Sequence, residues 1–437
     1  SLLSKGSFHG VPFILKDLKA ALVGTPTSSG CRINKNFIPE RNSIIVDRYE
    51  AAGVQIVGKS NSPEFGIMNT TEPELWGPCR NPWNTNLSPG GSSGGAAAAV
   101  AARIVPVAHA GDGGGSIRIP ASCCGLFGLK PTRGRVSMAP HLGESWGGFV
   151  QEHVLTRSVR DSAAFLDLVD GFTPGEPYYA PPKERPWSEE VTRSPGKLRI
   201  AFTDRALFGN HNHPDCIEAL SKTVELLRSL GHEVEEAVPN YPKMDLIQAY
   251  FITVACSIAR MVEEASERAN VKPKPRNFEA TTWLLAQIGW CCSAPRLLKA
   301  QNDIHRAARN VATFFQSYDV FVTPTIAVPP VQIGELRPTA AEKLQLSLLR
   351  KANVSALLDK ALETMGNRSL LKTPNTQLFN QTGQPAMSMP LHWNNDGMPI
   401  GVQFVGRFGR EGTLFQLASQ IEKEQPWAQR KPPLLQD

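Results

Sequence analysis

Two serines set in glycine are the residues of this chain best equipped for chemistry. Ser92 lies in Gly90-Gly91-Ser92-Ser93-Gly94-Gly95, and Ser116 in Gly113-Gly114-Gly115-Ser116-Ile117-Arg118. Glycine accepts φ > 0 and lets a ligand come close to the main chain. Successive N–H groups in such turns form anion-binding concavities. A hydroxyl beside such a concavity has what acyl transfer needs, a nucleophile next to a place for the oxyanion. The pattern reads as a serine hydrolase.

Serine is a poor nucleophile until a base takes its proton. Histidine is the usual base, but none of the nine histidines stands in a catalytic motif. His109, on the strand leading to Ser116, reads as a structural histidine bonded to backbone. A clean Gly-x-Ser-x-Gly elbow is also absent around Ser116. Lysine is the remaining candidate. Lys16 closes the apolar run Val11-Pro12-Phe13-Ile14-Leu15, where loss of solvent would draw its ammonium toward neutrality.

The elements that must position these groups alternate between strand and helix, as in an α/β protein. A helix over Ile44 to Ala52 stops at Gly53, and Val54 to Val57 reads as a buried strand. The alanine-rich run after Ser93 places the first serine pair at a helix N-terminus. Ile104 to Ala108 is the apolar run ahead of Ser116. Ser158 reads as the N-cap of a helix to about Asp170, and Pro174 to Pro186 as a long surface connection. Leu198 to Phe202, Val320 to Val322 and Ile400 to Phe404 read as strands, Pro214 to Leu230 as an amphipathic helix, and residues 243–317 as mostly helical. Gly53-Val-Gln-Ile-Val-Gly58-Lys59-Ser60 fits the phosphate-loop pattern to the letter. Its four intervening residues are apolar and β-favouring, so it reads as strand and not as a nest of N–H groups.

With 437 residues and 41% hydrophobic content, the chain can bury a large core. A net charge of +6, scattered along the sequence, is that of ordinary solvated surface, so no nucleic-acid partner is expected. Neither a signal-peptide core nor a membrane-length apolar run is apparent, and no membrane association is expected. The eight cysteines show no zinc spacing; they read as free thiols of a reducing, cytoplasmic compartment, and no metal is implied.

Taken together, the motifs resemble those of the amidase signature hydrolases. The resemblance rests on Gly10-Val11-Pro12 leading to Lys16-Asp17, on Asn81-Pro82-Trp83-Asn84 and on the Ser92 cluster. It continues through Asp112 to Arg118, Gly125 to Thr132, Gly383-Gln384-Pro385-Ala386 and Asp396 to Gly401. Within the family the chain is most similar to bacterial hydrolases of cyclic nylon oligomers, with Thr70 to Glu74, His109 and Arg133-Gly134-Arg135 strengthening the likeness. Carbamate-cleaving members are similar in the same regions.

The resemblance implies an α/β/α fold, a large twisted mixed sheet flanked by helices. One domain would span residues 1–437, with a signature core over about 50–160 and a helix-rich pocket wall over about 205–317. It implies a Ser–cis-Ser–Lys triad, with Ser116 as nucleophile, Ser92 as relay and Lys16 as neutral base. The N–H groups of Gly113, Gly114, Gly115 and Ser116 would form the oxyanion hole, and Ser93, Asp112 and Arg118 would hold the loops. Trp146, Phe149, Trp290, Ile326 and Phe379 could line an apolar pocket. The implied activity is hydrolysis of linear or cyclic amides and anilides, extending to carbamates and esters. No cofactor is called for, and the only partner is a small-molecule substrate, the chain acting as monomer or homodimer. The alternative is an amidotransferase A-type subunit working with partner chains on charged tRNA. Two departures from the family pattern stand out. The given chain begins almost at the Gly-Val-Pro strand, where the family carries a helical segment. Gly113 and Gly114 stand where the nylon-oligomer enzymes tend to have alanine.

Overall fold

The structure, a computed structural model, describes residues 6–209, 211–337 and 370–435. Its strands are β1 (Pro12–Lys16), β2 (Gln55–Ser60), β3 (Val107–Asp112), β4 (Phe127–Lys130), β5 (Gln151–Thr156), β6 (Arg199–Phe202), β7 (Glu233–Glu236), β8 (Val320–Pro324), β9 (Ala386–Trp393) and β10 (Pro399–Gly406). Among the described residues they form one ten-stranded sheet in the order β2-β1-β3-β5-β4-β9-β10-β8-β6-β7. β2, β1 and β3 run parallel, as do β8, β6 and β7, while the pairs between them are antiparallel. The sheet is mixed, as the resemblance implies.

The helices are α1 (Ile44–Ala51), α2 (Gly94–Ala101), α3 (Arg118–Cys124), α4 (Val159–Val169), α5 (Trp187–Glu190), α6 (Pro214–Ser229), α7 (Lys243–Arg268), α8 (Ala280–Cys291), α9 (Ala294–Ser317), α10 (Gln377–Thr382) and α11 (Glu411–Glu424). One core layer packs α1, α4, α6 and α11 against Phe13, Leu15, Val107, Phe127 and Val154. The opposite face is covered in two parts. α2 and α3 pack on Ala108, Ala110 and Leu155. The long helices α7, α8 and α9 pack with Phe321, Ala386 and Val405. Side chains alternate across a strand, so Leu15 enters the α1 layer and its neighbour Lys16 the α2 layer.

The local reading holds at several boundaries. Gly53 follows α1 at φ +85°, where the missing Cβ spares the left-handed turn its steric cost. The Ser158 hydroxyl accepts from Asp161 N–H as the N-cap of α4. Residues 55–60 form strand β2, so the phosphate-loop look-alike is a strand, with Gly58 in register with Ile14. Ile104 is exposed and outside β3, which begins at Val107 directly after Pro106. Proline has no N–H to give the ladder and sits where a strand starts.

Two further points correct the sequence reading. β4, β5, β7 and β9 were not named from periodicity. Gln151, Glu152 and His153 look like surface residues, yet all six positions of β5 are buried. α7 is long enough, and apolar enough over part of its length, to cross a membrane by length and composition, contrary to the expectation that no such run exists. Leu246, Ala255, Ile258 and Val262 of α7 are buried in the core with α8 and α9.

Candidate active site

Lys16 ends β1 with its side chain 1% exposed. The turn after it is pinned by Asp17, whose N–H donates to the Ser60 carbonyl (3.1 Å) and whose carboxylate accepts from Ser28 N–H (2.9 Å). Lys16 Nζ donates to Ser92 Oγ (2.8 Å), Ser93 Oγ (2.9 Å) and the Gly111 carbonyl (3.3 Å). No carboxylate is among these partners. Burial lowers the ammonium pKa from 10.5 to about 8, against the smaller opposing pull of Glu152 and Asp112.

Ser92 and Ser93 form the turn into α2, and the Gly91–Ser92 peptide is cis. Thr71 braces this turn: its hydroxyl donates to the Gly90 carbonyl (3.0 Å) and accepts from Gly94 N–H (3.1 Å). At Gly91 any side chain would strike the Thr70 backbone, so glycine is required by close approach alone. Ser93 Oγ donates to the Gly111 carbonyl (3.2 Å), tying this turn to the end of β3.

β3 runs on into the Gly113–Ser116 turn, which is organised by Asp112. Its carboxylate accepts from the N–H groups of Gly115 (2.7 Å), Ile117 (3.2 Å) and Arg118 (3.4 Å). It also takes Arg118 Nε and Nη2, each at 2.9 Å. Burial alone would raise Asp112; the Arg118 charge and hydrogen bonds, with one from Asn380, hold it well below the usual carboxylate range. One expected oxyanion donor is therefore reassigned. Gly115 N–H is captured by the carboxylate three residues back. Among the described residues the N–H groups of Gly113, Gly114 and Ser116 have no protein acceptor. Ser116 is 7% exposed, and its hydroxyl makes no hydrogen bond to Ser92 or to another described residue.

Several residues that lock this turn were missed by sequence reasoning. Thr376 Oγ1 donates to the Gly114 carbonyl (2.7 Å), and Asn380 Nδ2 to the Asp112 carbonyl (2.9 Å) and carboxylate (2.8 Å). Arg118 Nη1 reaches Gln403 Oε1 (2.6 Å). Tyr250 Oη of α7 lies against Gly113, donating to its carbonyl at 3.4 Å, and its ring stacks on Phe149 at 5.5 Å. The one local hint was the dense polar run Asn375 to Thr382, all of whose polar side chains are buried.

Of the expected pocket residues, Trp146 and Phe149 border the turn. A Cβ at Gly113 would come within 2.9 Å of the Trp146 ring. Phe379 packs on Phe321 of β8, Ile326 joins the α2–α3 cluster, and Trp290 is an exposed residue packed edge-on to Trp283. On the far side of Trp146 lies a cavity of about 830 Å³, bordered by Lys19, Phe65, Glu152 and, from α7, Met261 and Glu264. The helix-rich region thus forms one wall of that space.

The Amidase family profile matches residues 3–415 of the chain. A 6-aminohexanoate-cyclic-dimer hydrolase of Paenarthrobacter ureafaciens is 37% identical, over 100% of this chain and 87% of that enzyme. A solved structure of a 6-aminohexanoate cyclic dimer hydrolase superposes with TM-score 0.89 at 36% identity, covering 99% of this chain and 88% of that one. The A-type subunit of the Thermotoga maritima glutamyl-tRNA(Gln) amidotransferase superposes with TM-score 0.73 at 27% identity, covering 97% and 85%.

Proposed function

The chain belongs to the amidase signature family and is an amidohydrolase, and from that premise we propose that it cleaves uncharged amides through an acyl-enzyme on Ser116. The observation that carries the reading is the buried Lys16 Nζ, 2.8 Å from Ser92 Oγ and with no carboxylate to hold its proton in place. Ser116 Oγ attacks the carbonyl carbon. Its proton passes to Ser92 Oγ, and the Ser92 proton to Lys16 Nζ. The oxyanion is received by the N–H groups of Gly113, Gly114 and Ser116, fixed dipoles that need no reorganisation as the charge forms. Lys16 returns the proton through Ser92 to the leaving amine, and water then releases the acid by the reverse route. The Ser92–Ser116 hydrogen bond closes when substrate is bound, as catalytic hydrogen bonds commonly do.

The substrate we infer is a linear or cyclic amide with an apolar acyl part, the class to which the Paenarthrobacter relative's cyclic dimer belongs. Higher identity to that hydrolase than to the Thermotoga amidotransferase chain supports a stand-alone enzyme. Anilides, aryl carbamates and esters, assayed beside cyclic and primary amides, define the range.

Ser116→Ala is expected to abolish both turnover and labelling by a fluorophosphonate. Wild-type turnover in that variant would end the assignment. Because Lys16 titrates near 8, the neutral base accumulates as pH rises toward that value, and kcat/KM climbs with it. Lys16→Ala is expected to remove this rise and to depress activity most at neutral pH. An unchanged profile would take lysine out of the mechanism.

A further inference from the structure

Beneath Lys16, on the α1 side of the sheet, stands a buried carboxylate that the proposed reaction never touches. Glu152 of β5 faces Gly111 of β3 across the antiparallel ladder. Its carboxylate rests on the Gly111 α-carbon: a Cβ there would lie 2.6 Å from Oε1 and 2.7 Å from Oε2. The Gly111 carbonyl is the same one that accepts from Lys16 Nζ. Glu152 Oε2 lies 2.9 Å from His109 Nε2, a close contact without hydrogen-bond alignment, and Oε1 has no hydrogen-bond partner among the described residues. His109 Nδ1 accepts from the main-chain N–H of Lys16 (3.3 Å), which places the ring proton on Nε2, toward the carboxylate. The histidine and the carboxylate together hold the backbone of Lys16 from one face of the sheet while its ammonium works on the other.

The charges around this carboxylate are few. Asp112, next along β3, is neutralised by Arg118. Lys19, in the turn after β1, faces Glu152 across the cavity wall with its ammonium on Ser145 Oγ. Tyr49 of α1 lies edge-on to His109 at 6.2 Å, and Glu264 of α7 approaches Lys19 from the far side of the cavity. Asp17, next to Lys16 in the chain, also has no arginine among the described residues, but its carboxylate is turned to Ser28 and pulls on Lys59, which leaves Glu152 as the anion with the largest pull on Lys16.

We propose that Glu152, held in place by His109, is a positioning residue that sets the pH at which Lys16 gives up its proton. The proposal rests on Lys16 being the base. Such a base needs two properties that conflict. It must be neutral to receive the serine proton and basic enough to take it, and the ideal balance lies near the working pH. Burial alone drives a lysine far toward neutrality. A carboxylate held behind the strand restores part of its basicity without a direct ion pair, which would fix the proton on nitrogen.

The test compares kcat/KM–pH profiles on one anilide for wild type, Lys16→Ala, Glu152→Gln, Glu152→Asp and Lys19→Met. Removing the negative charge disfavours protonated Lys16, so Glu152→Gln shifts the rising limb to lower pH, by about one unit. Glu152→Asp withdraws the carboxylate and shifts it the same way by less. Lys19→Met removes a positive neighbour and shifts it upward. Should Glu152→Gln fail to fold, as judged by thermal melting, the other two variants still carry opposite expectations. A lowered plateau with the limb unmoved in every folded variant would overturn the proposal, leaving Glu152 a merely structural residue. If Lys16→Ala leaves the wild-type limb intact, the base assignment fails instead, and the two failures are distinguished.

Discussion

Lys16 and Asp112 are buried ions at the same end of the sheet, and the fold treats them in opposite ways. Lys16 is given two hydroxyls and a carbonyl, all neutral acceptors. Asp112 is given a guanidinium, an amide and three main-chain N–H groups. A buried charge hydrogen-bonded only to neutral groups sits closer to the point of losing its proton, whereas one bonded directly to a counter-ion is locked in a single state. The lysine end of the site is built to titrate and the nucleophile end is built not to. Catalysis by proton relay needs both: a base whose charge changes each cycle, and an oxyanion turn whose geometry does not.

Breaking the locked end should cost most. Asp112→Asn leaves Arg118 buried with its counter-ion gone, a loss of about 3–5 kcal/mol in stability for such sites. Asparagine keeps an acceptor for the Gly115 amide but sets an NH2 against the Ile117, Arg118 and guanidinium donors, so the turn loses its shape and activity should fall about 10²–10³-fold, the size of effect of losing an oxyanion donor. Urea melts and kcat/KM measure the two separately. Acid titration sharpens the contrast. The folded pKa of Asp112 is depressed, so its contribution is present above the unfolded carboxylate pKa and is lost as pH falls toward the folded one. Wild type should therefore lose stability on acidification below about pH 4 more steeply than Asp112→Asn. Equal slopes would mean that Asp112 is not held as an ion.

A smaller effect is expected where the turn meets α7. A Cβ on Gly114 would run into Tyr250 Oη, so an alanine here cannot share the space with that hydroxyl. Gly114→Ala should reduce kcat/KM about tenfold, and Tyr250→Phe in the same chain should restore most of it, a coupling of about 1–2 kcal/mol in a double-mutant cycle. Additive effects would show that the two positions do not compete.

The reacting groups were legible because their signals are local. Glycine clusters announce turns, an alanine run announces a helix behind Ser93, and an apolar run ending in lysine announces a strand end. What holds them was not. Thr376 and Asn380 bond to the 112–114 segment from 262 and 268 residues away, and neither has a periodicity of its own to betray it. Glu152 was hidden for a different reason. Charged residues in Gln151-Glu152-His153 imitate a solvated segment, and only the antiparallel pairing with β3 reveals a central strand. Gly115 illustrates a third limit: glycine content signals an anion-binding turn without saying which amides an internal carboxylate has already taken.

The smallest effect belongs to Lys59, the lysine that a phosphate-loop pattern would make indispensable. Its strand is paired with β1 from Gln55 to Ser60, with a register shift that skips Val57, so the segment runs along a ladder and is not a nest of amides converging on an anion. The ammonium is turned to the Thr27 hydroxyl, with burial lowering its pKa to about 8. It lies one residue before Ser60, whose carbonyl accepts from Asp17 N–H, so it borders the lysine end of the site without joining the proton path. Lys59→Met should change kcat/KM by less than about twofold, since it removes a charged neighbour of Asp17 but no group on the proton path. ATP with magnesium should raise the melting temperature of neither wild type nor variant, since only a ligand bound to the folded state stabilises it. A nucleotide-dependent rise that Lys59→Met abolishes would turn the strand reading of residues 53–60 into an error.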